Sequence, residues 1–215
     1  MRLYVAYDVQ AGKPVTADNY LDRLRALYGR TPAEQAARIP ERIAERYPLG
    51  GSEPPPAVLG TAMSDFIPSI GLGNCLQQHT GAVMGRYTPL WQWEFADREA
   101  PVLGVGITRE PDPGFVLGAV HAAELNYFFP NFDNTHRSAA PDLAAPSQAL
   151  SDRMLEFLAN FARTGVPSAR GLPDWPRYAG GKTVMWMEPG KTGLVDAAAV
   201  HQCAFWEAIY PDRLR

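Results

Sequence analysis

A mixed α/β fold with few strands, several helices and long ordered loops is what this sequence predicts. The first observation is Thr88 to Phe95, where Leu90, Gln92 and Glu94 alternate with Trp91, Trp93 and Phe95. That is the period of a strand with one strongly aromatic face. The second is Ser147 to Thr164, where Leu150, Met154, Leu158 and Phe161 form a helical stripe, Phe157 flanks it and Gly165 stops it. The third is the count of 20 prolines and 19 glycines in 215 residues, which suits long loops between elements better than a tight bundle. A complete doubly wound sheet does not fit, because it needs about five or more alternating strands.

Taken in order, Leu3 to Tyr7 fits either a short strand or the start of a helix. Ala17 to Tyr28 reads as a helix: Thr16 can cap it, Tyr20, Leu21, Leu24, Leu27 and Tyr28 recur at helical spacing, and Gly29 ends it. Thr31-Pro32 is a cap followed by proline at the first helical position, opening a segment to about Ala37, and Pro40 to Tyr47 reads as a second short helix. The run YPLGGSEPPPAV, Tyr47 to Val58, breaks the pattern and is the best candidate for an internal boundary. Leu59 to Gln78 is helical in pattern but interrupted at Pro68, Gly71 and Gly73, with His79 and Gly81 placed as a helix C-terminus. After the Thr88–Phe95 strand comes a long Pro/Gly-rich loop ending at His121, of a length usually kept for function. Ala122 to Phe129 suits a short helix, the stretch from Pro130 to Pro146 is irregular, Val184 to Met187 reads as a strand and Ala197 to Tyr210 as a C-terminal helix.

Bulk properties narrow the function. A chain that is 46% hydrophobic and 20% charged can bury a core as roughly one domain. Net charge is −3 with no basic run, so neither nucleic acid nor an anionic membrane surface is an expected partner. No apolar stretch approaches the roughly 18 residues of a membrane span. The start, MRLYVAYDVQ, is broken by Asp8 and too short for a signal-peptide core, so the chain as written is expected to stay soluble, without an export signal of its own. Cys75 and Cys203 lie far apart and form no C-x-x-C; a long-range disulfide and two buried free thiols both fit.

The chemistry-bearing motifs are few. Gly71-Leu72-Gly73 and Gly104-Val105-Gly106 each begin a G-x-G that does not continue, and no phosphate loop exists, so no nucleotide cofactor is expected. His79, His121, His136 and His201 show no metal-ligand spacing; Glu124, Asp133 and His136 could converge across a loop, but no metal is expected. A nucleophilic serine needs G-x-S-x-G, and the nearest approach, Gly50-Gly51-Ser52-Glu53-Pro54, fails at the last position. What remains is His121 in GAVHAAELNYFFPN, a histidine set between small residues, which fits a catalytic base or a histidine bonded to a nearby carbonyl.

Several segments, in order, resemble a known family. SDFIPS (Ser64 to Ser69), TPLWQWEF, GAVHAAELNYFFPNF, NFARTGVP (Asn160 to Pro167), LPDWPRY (Leu172 to Tyr178) and HQCAFWEAIYP (His201 to Pro211) are similar to segments of the type-B carboxylesterases, an α/β-hydrolase family that includes the cholinesterases. The resemblance covers nearly the whole chain, 1–215, and implies the C-terminal part of an α/β-hydrolase fold whose sheet is incomplete. It implies that His121 is the base of a serine-esterase triad, whose serine and acid would lie upstream of Met1, and that the partners are a small carboxylic ester and the nucleophile-bearing half. It gives Glu124 a role in steadying the histidine loop; the alternative is a helix-terminal carboxylate. Without serine and acid the chain alone is expected to be inactive, and a non-enzymatic binding module derived from the fold is the alternative. Trp91, Trp93, Phe128, Phe129 and Phe132 fit either a substrate pocket or core, and Asp65 fits a helix cap. Cys203 falls where relatives carry a cysteine, but its usual partner position is near Ile67. Cys75 lies about 12 Å farther along if the chain there is helical, so the family disulfide is not expected here.

Overall fold

The computed structural model describes residues 1–101, 112–129, 142–178 and 183–214. They divide into two compact units. The first is built from residues 1–79, 112–117 and 198–214, the second from 80–101, 118–129, 142–178 and 183–197.

The first unit is helical. Arg2–Gln10 (α1) decides the open N-terminal reading in favour of helix, burying Leu3, Val5 and Ala6. It packs on Pro55–Asp65 (α5). Gly60 makes this possible: a Cβ there would stand 2.8 Å from the Arg2 Cα. Arg2 also reaches across to the Glu53 carboxylate at 2.6 Å and to Thr61 Oγ1 at 2.9 Å. Tyr20–Tyr28 (α2) starts three residues after the expected point, because Thr16 and Asn19 bond each other's backbone N–H and close a turn first. Pro32–Ala36 (α3) opens on a full capping box, Thr31 with Glu34, as the sequence predicts, and Ile39–Arg46 (α4) follows. The expected breaker ends early. Pro54 becomes the N-cap of α5 and Pro55 and Pro56 its first turn, where a missing N–H costs nothing.

Trp206 is the centre of this unit's core. It is fully buried, with Tyr28, Phe66 and Tyr47 rings 5.6, 5.7 and 5.9 Å away. The C-terminal segment is not one helix but Ala197–Val200 (α9), Cys203–Ile209 (α10) and Pro211–Leu214 (α11). The break falls at Gln202, which takes a left-handed conformation, φ 55°.

Two expectations are corrected in this unit. Cys75 and Cys203 are joined as a disulfide, with Cα atoms 5.2 Å apart. The argument against it assumed a helix from Ile67 to Cys75. Instead α5 ends at Asp65, Ile67 pairs with Leu72 across a tight turn, and the chain re-enters a helix only at Asn74–Met84 (α6). The fold-back cancels the helical rise on which the 12 Å rested. Asp65 is likewise not a cap opening a helix; it is the last residue of α5.

The second unit holds the sheet, three strands in the order β1-β2-β3. Trp93–Phe95 (β1) runs parallel to Thr183–Met187 (β2), pairing Trp93 with Met185 and Phe95 with Met187. Gly193–Asp196 (β3) returns antiparallel to β2. Ahead of β1, the Leu90 carbonyl accepts from the Tyr178 N–H at 2.7 Å. The helix α6 passes through Gly81 instead of stopping there: a Cβ at Gly81 would meet Gln92 Oε1 at 2.7 Å and the Tyr178 ring at 3.0 Å, so the glycine serves packing, not capping. Leu125–Phe128 (α7) is the short helix after His121, and Ala145–Thr164 (α8) is the long helix read from its stripe, closed by Gly165 in the left-handed conformation.

Candidate active site

His121 stands on a turn between Val120 and α7. The turn is closed by Ala123 N–H donating to the Val120 carbonyl at 3.1 Å and Leu125 N–H to Ala122 at 3.2 Å. Val120 and Ala123 are buried, while His121 between them is exposed. The apolar neighbours anchor the turn and hold the imidazole outward. Ala122 pays for this geometry with φ 70°, a conformation that costs an L-residue roughly 1–2 kcal/mol. No hydrogen bond joins the His121 ring to another described residue. Glu124 is at the N-cap of α7, where its side chain makes no capping bond and its carbonyl accepts from Tyr127 N–H at 3.0 Å.

Behind the turn is a polar cluster that the sequence did not announce. Asp97, just past β1 and 2% exposed, accepts from the Tyr127 hydroxyl and from the Ser147 hydroxyl, each at 2.6 Å, on one oxygen. Its other oxygen accepts from the Glu99 N–H at 3.0 Å. Ser151, one turn along α8 from Ser147, donates to the Tyr127 carbonyl at 2.7 Å. One carboxylate thus ties the end of β1, α7 and the first turn of α8 together, and α7 carries the His121 turn. Burial, and then the Asp97 carboxylate, hold the Tyr127 phenol protonated far above its ordinary range, so it stays a donor. The Phe95 ring meets Tyr127 edge-on at 4.8 Å and seals the cluster from the other side.

A second buried polar cluster occupies the first unit. His201 Nδ1 lies 2.7 Å from Asp65 Oδ1, whose other oxygen accepts from the Tyr47 hydroxyl at 2.6 Å. Trp206 Nε1 in turn donates to the Tyr47 oxygen at 2.9 Å, and Asn74 Nδ2 is 3.2 Å from His201 Nδ1. This histidine–carboxylate pair resembles the orienting half of a triad, but His201 is buried, and the pair serves to brace α5 against the start of α10. The disulfide through Cys203 closes over the same point.

The sequence-predicted aromatics separate. Trp91, Trp93 and Phe128 line one apolar cavity of the second unit, Phe129 is exposed, and Phe132 lies outside the described residues, as do Asp133 and His136. His79 lies within α6, near the middle of the helix rather than at its end. Among the described residues there is no cluster of three or more His, Cys, Asp or Glu side chains fit to hold a metal, and no helix long and apolar enough to cross a membrane.

The sequence model of the Carboxylesterase family matches residues 5–206. The chain belongs to the carboxylesterase family. Among similar family proteins, Carboxylesterase 3 of Pongo abelii is 33% identical over 94 residues, 42% of this chain and 15% of that protein. Acylcarnitine hydrolase of Rattus norvegicus is 28% identical over 179 residues, 80% of this chain and 28% of that protein. The crystal structure of Aspergillus niger EstA superposes with a TM-score of 0.56 at 16% identity, covering 93% of this chain and 37% of that one. The fold is therefore a portion of the α/β-hydrolase fold with an incomplete sheet, and the chain spans well under a third of these two curated relatives. For a carboxylesterase-family chain, the exposed His121 turn braced by Asp97 is the feature of most chemical interest. Asp97, Tyr127, Ser147 and Ser151 are the buried polar supports of this turn that sequence reading missed.

Proposed function

We propose that this chain supplies the general base of a serine carboxylic-ester hydrolase, and that His121 is that base. In the reading, His121 takes the proton of a nucleophilic serine as it attacks the ester carbonyl, then returns a proton to the departing alcohol, with an acyl-enzyme between the two steps. The serine, its oxyanion donors and the acid that would hold the second ring nitrogen are assigned to sequence outside these 215 residues. Within 1–215 no G-x-S-x-G occurs, so the chain by itself is assigned no turnover. Glu124 is assigned the task of steadying the turn. The observation that carries the reading is the outward, anchored placement of His121 in a chain of this family: the backbone holds the ring at the surface, where a nucleophile on another segment can reach it.

The test begins with the codons upstream of Met1. An in-frame acidic segment followed farther back by G-x-S-x-G is expected. In the protein expressed from that longer frame, His121→Ala should lower kcat on a short-chain p-nitrophenyl ester by roughly 10⁴-fold, while Glu124→Gln costs far less. Equal turnover in the His121→Ala protein would sink the assignment, as would stop codons or unrelated sequence upstream.

A further inference from the structure

Apart from the histidine turn, the second unit contains a cavity of about 350 Å³, within the size range of small-molecule sites. The aromatic residues Trp91, Trp93, Phe128, Phe157, Phe161 and Trp175 are half of its lining. The indole N–H groups of two of these are used on backbone. Trp91 Nε1 donates to the Trp175 carbonyl at 3.1 Å, and Trp175 Nε1 donates to the Gln92 carbonyl at 3.2 Å. These two bonds satisfy the polar ends and leave ring carbon facing the space. Phe161 and Leu158, the latter 50% exposed, mark its mouth.

One charge is stacked on a ring of its wall. The Arg177 guanidinium lies over the Trp91 ring, 5.6 Å from the centroid, and is exposed with no carboxylate partner among the described residues. Stacking on the indole orients the guanidinium, so less freedom is lost when it takes a ligand. A neutral apolar guest would leave this cation unused, and a cationic guest would be repelled by it. We propose that the cavity binds an amphipathic monocarboxylate, with its aliphatic or aromatic body against the Trp and Phe rings and its carboxylate paired with Arg177. The site stands on its own geometry and not on the esterase reading. Its ligand class is nonetheless that of the acid freed when a carboxylic ester is cleaved.

The experiment is equilibrium binding, which needs no turnover and so succeeds or fails independently of His121. Tryptophan fluorescence and calorimetry on the purified chain would compare decanoate, decanol and decyltrimethylammonium, each below its micellar concentration. One decanoate per chain is expected, bound about fivefold tighter than decanol and tighter still than the ammonium, a margin typical of an ion pair that remains partly hydrated. Arg177→Glu, an exposed substitution whose fold is checked by circular dichroism, should reverse the preference toward the ammonium. Leu158→Glu at the mouth should weaken decanoate more than decanol. Equal affinities for decanoate and decanol, an unchanged preference in Arg177→Glu, or non-saturating binding of several molecules per chain would each overturn the proposal. So would concentration-dependent self-association that blocks decanoate, since the face would then belong to a second copy of the chain.

Discussion

Asp97 carries three hydrogen bonds in the second unit, and two of them end on hydroxyls that have been taken out of water. Removing the acceptor leaves those donors unpaired, which costs about 1–3 kcal/mol for each buried group. Asp97→Ala is therefore expected to destabilise the protein by about 3 kcal/mol, read as a lower urea midpoint at unchanged slope. Asp97→Asn should recover part of the loss, since one amide oxygen can still accept from both Tyr127 and Ser147. Ala122 gives a prediction of opposite sign. Its φ of 70° strains an L-residue, and Ala122→Gly exchanges that strain for extra unfolded-state entropy of somewhat smaller size, a net gain of about 0.5 kcal/mol. A lower thermal midpoint in that variant would mean the turn is not held as described. His121 stood out as a candidate because it sits in a distinctive segment; Asp97 did not. Nothing in ADREAP marks one acid over another, and its partners lie 30 and 50 positions away.

At the scale of elements, glycine placement decides how helices meet. Gly60 lies mid-helix in α5, where alanine is intrinsically favoured by about 1 kcal/mol. The Cβ would however stand 2.8 Å from the backbone of α1, a clash that no rotamer relieves. Gly60→Ala is expected to lose 1–3 kcal/mol despite its propensity, because overpacking outweighs the helix term. A thermal melt that rises would show α1 free to shift. Local chemistry predicted the elements where it was unambiguous: the Thr31–Glu34 capping box and the α8 stripe ending at Gly165 were both readable. Elements set by distant contacts were not. The strand β3 is four residues long, its half-buried and exposed positions alternate too briefly to be read from Gly193–Asp196, and it exists through its pairing with β2. The run of α6 past Gly81 looked like a C-terminus because a packing glycine and a capping glycine are the same letter.

For the molecule as a whole, tyrosines and one disulfide set the conditions under which it stays folded. Burial pushes Tyr20 up to about 12, and Tyr28, Tyr47 and Tyr210 are raised as well, burial being the first cause in each. A phenol whose folded value is raised contributes stability that is complete below its unfolded value near 10 and is lost as pH climbs toward the folded value. Stability should hold flat to about pH 10 and fall between 10 and 12, and Tyr20→Phe should shrink that fall in urea titrations at each pH. The disulfide acts from the other side of the equilibrium. Cys75 and Cys203 are 128 positions apart, so their bond removes a large share of the unfolded chain's freedom. Spacing alone left the pair undecided, and a helix assumed from Ile67 onward argued against it; the Ile67–Leu72 fold-back is what reversed the geometry. Cys75→Ser should cost about 2–5 kcal/mol, and combining it with Cys203→Ser should cost little more, since a single bond is lost in both. Both sulfurs are buried, so a dithiol reductant added to the native protein should act only as fast as the first unit opens. Reduction that outpaces unfolding would place the bond at the surface instead, and equal urea midpoints for parent and Cys75→Ser would mean that the loop it closes is already constrained in the unfolded chain.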